Sequence, residues 1–122
     1  MNEFEKLTTR EEEVMNSFWM YGDLFVKDLL EKHPEPKPHV NTLSTIVRTL
    51  EEKGLLDHRS YGNTYQYFPI VTQEEYSKGC LDGVVSKYFD NSALTAVSAL
   101  VKEEKISLDE LKELIRMVEN KK

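Results

Sequence analysis

Apolar positions recur along this chain with two different periods, and the change from one to the other marks its most informative stretch. Over residues 40–54, Leu43, Ile46, Val47 and Leu50 follow the i, i+3, i+4, i+7 spacing of a core-facing helix. Asn41, Thr45, Arg48 and Glu52 fall on the opposite side, with Thr42, Ser44 and Thr49 on the flanks. Lys53-Gly54 then stops the helix, glycine supplying a left-handed C-cap. Leu55 to Ser60 and Thr64 to Phe68 read as strands, the second with Tyr65, Tyr67 and Phe68 of high β propensity, and Gly62-Asn63 supplies a tight hairpin turn between them.

The elements before and after complete a recognisable order. Thr9 with Glu12 reads as a capping box opening a helix through about Tyr21, whose apolar stripe is Val14, Met15, Phe18 and Trp19. A short helix follows from about Val26 to Lys32, and Pro34, Pro36 and Pro38 impose an extended linker. Helix, helix, helix, hairpin is the order of a winged helix-turn-helix. The predicted fold class is therefore mainly α with a small β-hairpin: a winged helix-turn-helix domain over residues 1–71 and a helical dimerisation domain over 72–122.

In the second of these, Thr72 with Glu75 caps a helix to about Phe89, with Tyr76, Cys80, Leu81, Val84, Val85, Tyr88 and Phe89 as a broad stripe. Asp90-Asn91-Ser92 breaks it and caps a helix marked by Leu94, Val97, Leu100 and Val101, and Ser107 with Glu110 caps a last one marked by Leu108, Leu111, Ile115 and Val118. Three short helices of about 50 residues cannot enclose a large core alone. A second copy is the simplest cover, so Val84, Tyr88, Leu94, Val97, Leu100, Leu111, Ile115 and Val118 are the expected dimerisation residues.

The polar face of the 40–54 helix carries the chemistry. Asn, Ser and Thr are poor helix formers on an exposed face, and with Arg they are residues that hydrogen-bond base edges and phosphate oxygens. Candidate DNA contacts are Asn41, Thr42, Ser44, Thr45 and Arg48 on the helix, and His58, Arg59, Ser60 and Asn63 on the wing. The net charge of −6 opposes a general polyanion binder, but within residues 36–71 Lys37, Arg48, Lys53 and Arg59 face only Glu51, Glu52 and Asp57, a balance of +1. With so few cations, one copy should bind weakly and with strong salt sensitivity, and two copies are needed for useful affinity.

Other chemistries find little support. There is no phosphate-cradling glycine loop, no paired His on one helix turn and no Cys/His or Ser/His constellation, so neither an enzyme nor a cofactor is expected. His33, His39 and His58 lie around the linker and wing with no thiolate nearby, so no metal site is read from them, and His39 and His58 are taken as phosphate-side donors. The single Cys80 permits no intramolecular disulfide, suits a reducing cytoplasm and reads as a small buried apolar group. No apolar run approaches the roughly eighteen residues of a membrane span, and the acidic N-terminus is unlike a signal peptide.

The stretches LTTREEEVMNSFW, NTLSTIVRTLEEKGLL and LDHRSYGNTYQYFP, with YSKG opening the helical tail and ISLDELKELI closing it, resemble the penicillinase-repressor family of bacterial winged-helix regulators, the BlaI/MecI type, from Leu7 to about Lys121. The resemblance implies a homodimer that represses transcription by binding double-stranded DNA at an inverted-repeat operator, through the recognition helix 40–54 and the wing 56–69. Asn41, Thr42 and Thr45 match the family's major-groove positions, and Arg59 to Asn63 match its wing. In many members a membrane sensor metalloprotease relieves repression by triggering cleavage in the dimerisation domain, and the cleaved bond aligns near Ala99-Leu100. The chain departs from the family there, with leucine in place of the aromatic residue. It departs also at Phe25, where a small polar residue commonly opens the second helix, and at Arg48, one position early and so turned by about 100°. The cysteine cluster of copper-responsive relatives is missing from the tail.

Two alternatives stand beside that reading. One is a ligand-responsive winged-helix regulator holding a small apolar effector at the domain junction, lined by Tyr65, Tyr67, Phe68 and Tyr76. The other is a winged helix used for protein contacts, which the acidic total favours.

Overall fold

The computed structural model describes residues 6–121; the acidic stretch ahead of them, on which the signal-peptide reading rests, and the final residue lie outside the described residues. The element order is α1 (Thr9–Tyr21), β1 (Leu24–Phe25), α2 (Val26–Lys32), α3 (Val40–Glu52), β2 (Leu56–Tyr61), β3 (Thr64–Pro69), α4 (Gln73–Tyr88), α5 (Ala93–Lys102) and α6 (Leu108–Glu119). The chain divides into two compact units, Met1–Cys80 and Leu81–Lys122.

In the first unit the predicted apolar stripes meet. Val14, Met15 and Phe18 of α1, Leu29 of α2, Leu43, Val47 and Leu50 of α3, and Leu55 and Leu56 are all under 2% exposed or close to it. Each such side chain contributes about 1.5–3 kcal/mol of hydrophobic stabilisation. Trp19 and Ile46 lie partly buried against this cluster.

Three details depart from the sequence reading. The capping box of α1 is Thr8 with Glu11, not Thr9 with Glu12: Thr8 Oγ1 accepts from the Glu11 N–H at 3.2 Å, and Glu11 Oε1 accepts from the Thr8 N–H at 2.8 Å. The sequence offers both registers. Tertiary structure selects this one because it turns Glu11 inward, where Lys53 Nζ donates to it at 2.9 Å. The hairpin gains a third strand: β1 pairs antiparallel with β3 (Leu24↔Tyr67, Phe25↔Gln66), giving the order β1-β3-β2. Two residues carry no readable period, so this strand is invisible in the sequence. Cys80 is exposed. Tyr76 and Gly79 are the buried positions of α4, and Cys80 lies about 100° further round the helix from Gly79.

The unit boundary also falls inside α4 instead of after Val71. Trp19 Nε1 donates to the Val71 carbonyl at 2.9 Å, and Tyr76, itself buried, packs on the Trp19 ring at 5.5 Å between centroids. The first turns of α4 therefore belong to the winged unit's core. Thr72 caps this helix as expected, accepting from the Glu75 N–H at 3.0 Å while its own N–H donates to Glu75 at 2.9 Å.

The linker between α2 and α3 is held by one lysine. Lys37 Nζ donates to the carbonyls of Leu30, Glu31 and His33 at 2.9–3.0 Å, satisfying the acceptors left open at the end of α2. Lys37 is thus spent within the fold.

The second unit is different in kind. From Leu81 to Lys121 no residue is buried. Asp90 and Asn91, at φ 51° and 61°, break the chain after α4, and Ser92 Oγ accepts from the Thr95 N–H at 3.1 Å to cap α5. Ser107 and Glu110 form the expected capping box of α6.

Candidate nucleic-acid interface

The site is built on α3. Its N-cap is His39, whose Nδ1 accepts from the Asn41 N–H at 3.0 Å. An accepting Nδ1 leaves the proton of the neutral ring on Nε2, so His39 caps the helix and keeps a donor on its other side. At the far end Gly54 takes φ +85°. Its N–H reaches the Glu51 carbonyl and the Leu55 N–H reaches that of Leu50, both at 3.0 Å. This is a Schellman stop, and it is why Leu55 ends the helix and does not open the strand.

Between these caps Leu43, Val47 and Leu50 are buried, while Asn41, Thr45 and Arg48 are exposed and Thr42 and Ser44 half-buried. The exposed face is ordered by its own hydrogen bonds. Thr45 Oγ1 donates to the Asn41 carbonyl and Thr49 Oγ1 to that of Thr45, both at 3.0 Å. Arg48 Nη2 lies 3.5 Å from Thr45 Oγ1. With its proton committed to the Asn41 carbonyl, the Thr45 hydroxyl can meet a further partner only as an acceptor, as it would an exocyclic amine.

The wing stands beside this face. The β2–β3 register runs from Leu56↔Pro69 to Tyr61↔Thr64, and Gly62 takes φ +59° at the first turn position, the arrangement of a type II′ turn. Ser44 and Arg48 share a groove with Asn63, Thr64, Tyr65 and Tyr67. The structure thus brings this part of the helix face and the wing tip together, with Arg48 on the side of the wing. Tyr65, half-exposed in that groove, was not among the expected DNA contacts; its alternation with Gln66 along the strand is the signal that would have placed it there.

Two of the wing candidates, His58 and Arg59, are engaged in contacts within the protein. His58 Nδ1 lies 2.5 Å from Glu51 Oε2, and its ring packs against Tyr65 and Tyr67 at 4.4 and 5.5 Å. Arg59, on the other face of β2, donates to Asp23 Oδ2 at 3.0 Å and to Gln66 at 3.3 Å, and lies 4.4 Å over the Phe68 ring. Ser60 and Asn63 are exposed. The four rings expected around an apolar effector do not converge. Tyr65 and Tyr67 flank His58, Phe68 lies under Arg59, and Tyr76 packs on Trp19. Strand alternation alone sends Phe68 to the face opposite Tyr67.

Comparison with known proteins decides the family. The model of the penicillinase repressor family matches residues 7–120. The chain belongs to the penicillinase repressor family. Within it, the methicillin resistance regulatory protein MecI of Staphylococcus aureus (strain N315) is 26% identical over 122 residues, covering 99% of this chain and 98% of its own. The penicillinase repressor of Bacillus licheniformis is 20% identical over 123 residues, covering 100% and 96%. The solution structure of the DNA binding domain of the repressor BlaI matches with a TM-score of 0.53 at 22% identity, over 62% of this chain and 94% of that one, which shows the winged-helix fold. The family is one of repressors and not of enzymes, in line with the lack of a catalytic constellation in the sequence.

The expected dimerisation residues are uncovered in the single chain: Val84, Tyr88, Leu94, Val97, Leu100, Ile115 and Val118 are exposed and Leu111 half-buried. Ala99 and Leu100 lie inside α5. Among the described residues no helix is long and apolar enough to cross a membrane.

Proposed function

We propose that this protein is a homodimeric, DNA-binding transcriptional repressor of the cytoplasm, reading an inverted-repeat operator through α3 and the wing. The observation that carries the reading is the outward row of Asn41, Thr45 and Arg48, with the wing-tip Asn63 across a shared groove from Arg48. Backbone phosphates would be met by Arg48, the Nε2 side of His39 and the turn at Gly62-Asn63. Two copies are supported by the second unit, whose apolar faces find no cover within one chain, and a twofold protein reads a palindromic site. Induction through a membrane sensor metalloprotease belongs to the same proposal. Because Ala99-Leu100 lies within a helix, cleavage there requires α5 to open locally.

The test is recovery and sequencing of genomic fragments retained by the purified full chain, followed by electrophoretic mobility of the enriched site across a salt series. Enrichment of an inverted repeat, with affinity falling steeply as salt rises, is the expected result. Retention of no DNA at low salt refutes the repressor reading and leaves the protein-contact alternative.

A further inference from the structure

The root of the wing gathers a third set of chemical groups, apart from the exposed row on α3. Glu51 on the last turn of α3, and Asp57 and His58 at the start of β2, bring one ligand atom each to within 4.8 Å of one another. The geometry points to a binding site here for a single divalent first-row transition cation such as Zn²⁺ or Mn²⁺, held by two carboxylates and one imidazole.

The Glu51–His58 contact by itself is explained as a hydrogen bond. It does not account for Asp57. Neighbouring residues of a strand normally point to opposite faces, yet the Asp57 carboxylate turns back, its Oδ1 accepting from the His58 N–H at 2.8 Å. β2 is an edge strand, so that N–H is available to hold it. Two carboxylates therefore face one imidazole, which can offer them at most one positive charge. A divalent cation balances the two carboxylates with the imidazole neutral, taking the place of the shared proton.

The donor set also selects the ion. One imidazole nitrogen and carboxylate oxygens without thiolate suit Zn²⁺ or Mn²⁺ better than a soft ion. Bonds of about 2.0–2.2 Å would require the 2.5 Å His58–Glu51 contact to widen and Asp57 to close in. Asp57 is exposed and Glu51 half-buried, so rotamer changes suffice. The imidazole is the fixed member, packed against the rings of Tyr65 and Tyr67. A bound ion would tie the end of α3 to the root of the wing.

Isothermal titration of the full chain with Zn²⁺, and separately with Mn²⁺, tests this in a non-coordinating buffer. In the Zn²⁺ titration the ¹⁵N shifts of the histidine rings report which nitrogen is coordinated. Expected are one equivalent bound, a shift at His58 Nδ1, loss of binding in His58→Ala, and at least a roughly tenfold weakening in Glu51→Gln and in Asp57→Asn. His33→Ala and Cys80→Ser should bind as the parent does. If His58→Ala fails to fold, the two carboxylate variants, which keep the side-chain shape, decide the matter. Absence of heat and of any His58 shift at millimolar metal overturns the site, and so does stoichiometric binding that survives both carboxylate substitutions.

Discussion

Replacing Glu11 by glutamine isolates one charge at the junction of α1 and α3. Glu11 is only 7% exposed, and its Oε1 accepts from the Thr8 N–H at 2.8 Å and from Lys53 Nζ at 2.9 Å. Burial alone would raise its pKa, but the Thr8 hydrogen bond and the Lys53 ammonium outweigh burial and hold it below its ordinary value. Glutamine keeps an oxygen for Thr8 and loses the charge facing Lys53. A charge-assisted hydrogen bond is worth about 1.5–3 kcal/mol against about 0.5–1.5 for a neutral one, so Glu11→Gln should cost about 1–2 kcal/mol at pH 7. Glu11→Ala removes the capping oxygen as well and should cost about 2–4 kcal/mol. For a unit of this size each kcal/mol lowers the midpoint by about 4–8 °C. Trp19, the single tryptophan, lies in the same unit and reports its unfolding by fluorescence, measured at fixed protein concentration. The pH dependence follows from the sign of the shift. A depressed folded pKa means that the stabilisation is complete above the unfolded carboxylate range and is lost as pH falls through the folded value. The gap between parent and Glu11→Gln should therefore close in acid. Equal stability at pH 7, or a gap unchanged at pH 3, refutes this account of how α3 is anchored.

Thr45→Ala and Arg48→Ala should each weaken operator binding by roughly 1–3 kcal/mol with an unchanged melting curve, since both side chains are exposed; unchanged affinity in both would mean the reading face lies elsewhere. Ile115→Glu, at a position 57% exposed in the single chain, should leave the helices intact and shift sedimentation toward the monomer, whereas a persistent dimer would remove α6 from the interface. Truncation after Ile70 deletes the Trp19 acceptor at Val71 and the packed Tyr76 ring, so it should destabilise the winged unit and not merely separate the copies; a melting midpoint equal to the parent's would contradict that packing. His39→Ala should cost α3 about 1 kcal/mol and His39→Asn should restore it, as read by thermal melts; equal stability of all three would deny the cap.

Much of the site was legible in one dimension because α3 is long and strongly periodic. Leu43, Val47 and Leu50 go to the core and Asn41, Thr45 and Arg48 to the surface, as the spacing requires. Gly54 and Gly62 announced the helix stop and the turn because only positive φ suits those positions. Residue type alone does not reveal a partner. His58 and Arg59 look like phosphate donors, but one meets Glu51 and the other Asp23. Lys37 looks like a free cation and is consumed by three carbonyls.

The sequence by itself determined the helices, the N-terminal caps of α4, α5 and α6, the hairpin and the polar face of α3, since these depend on contacts within a few residues and on periods that a linear pattern records. Tertiary structure decided the rest: the register of the α1 cap through Glu11 and Lys53, the two-residue strand β1 on β3, the inclusion of Tyr76 in the first core, and the meeting of Glu51, Asp57 and His58. Each of those rests on a contact across elements, and a pairing partner at long range leaves no period in the chain to be read.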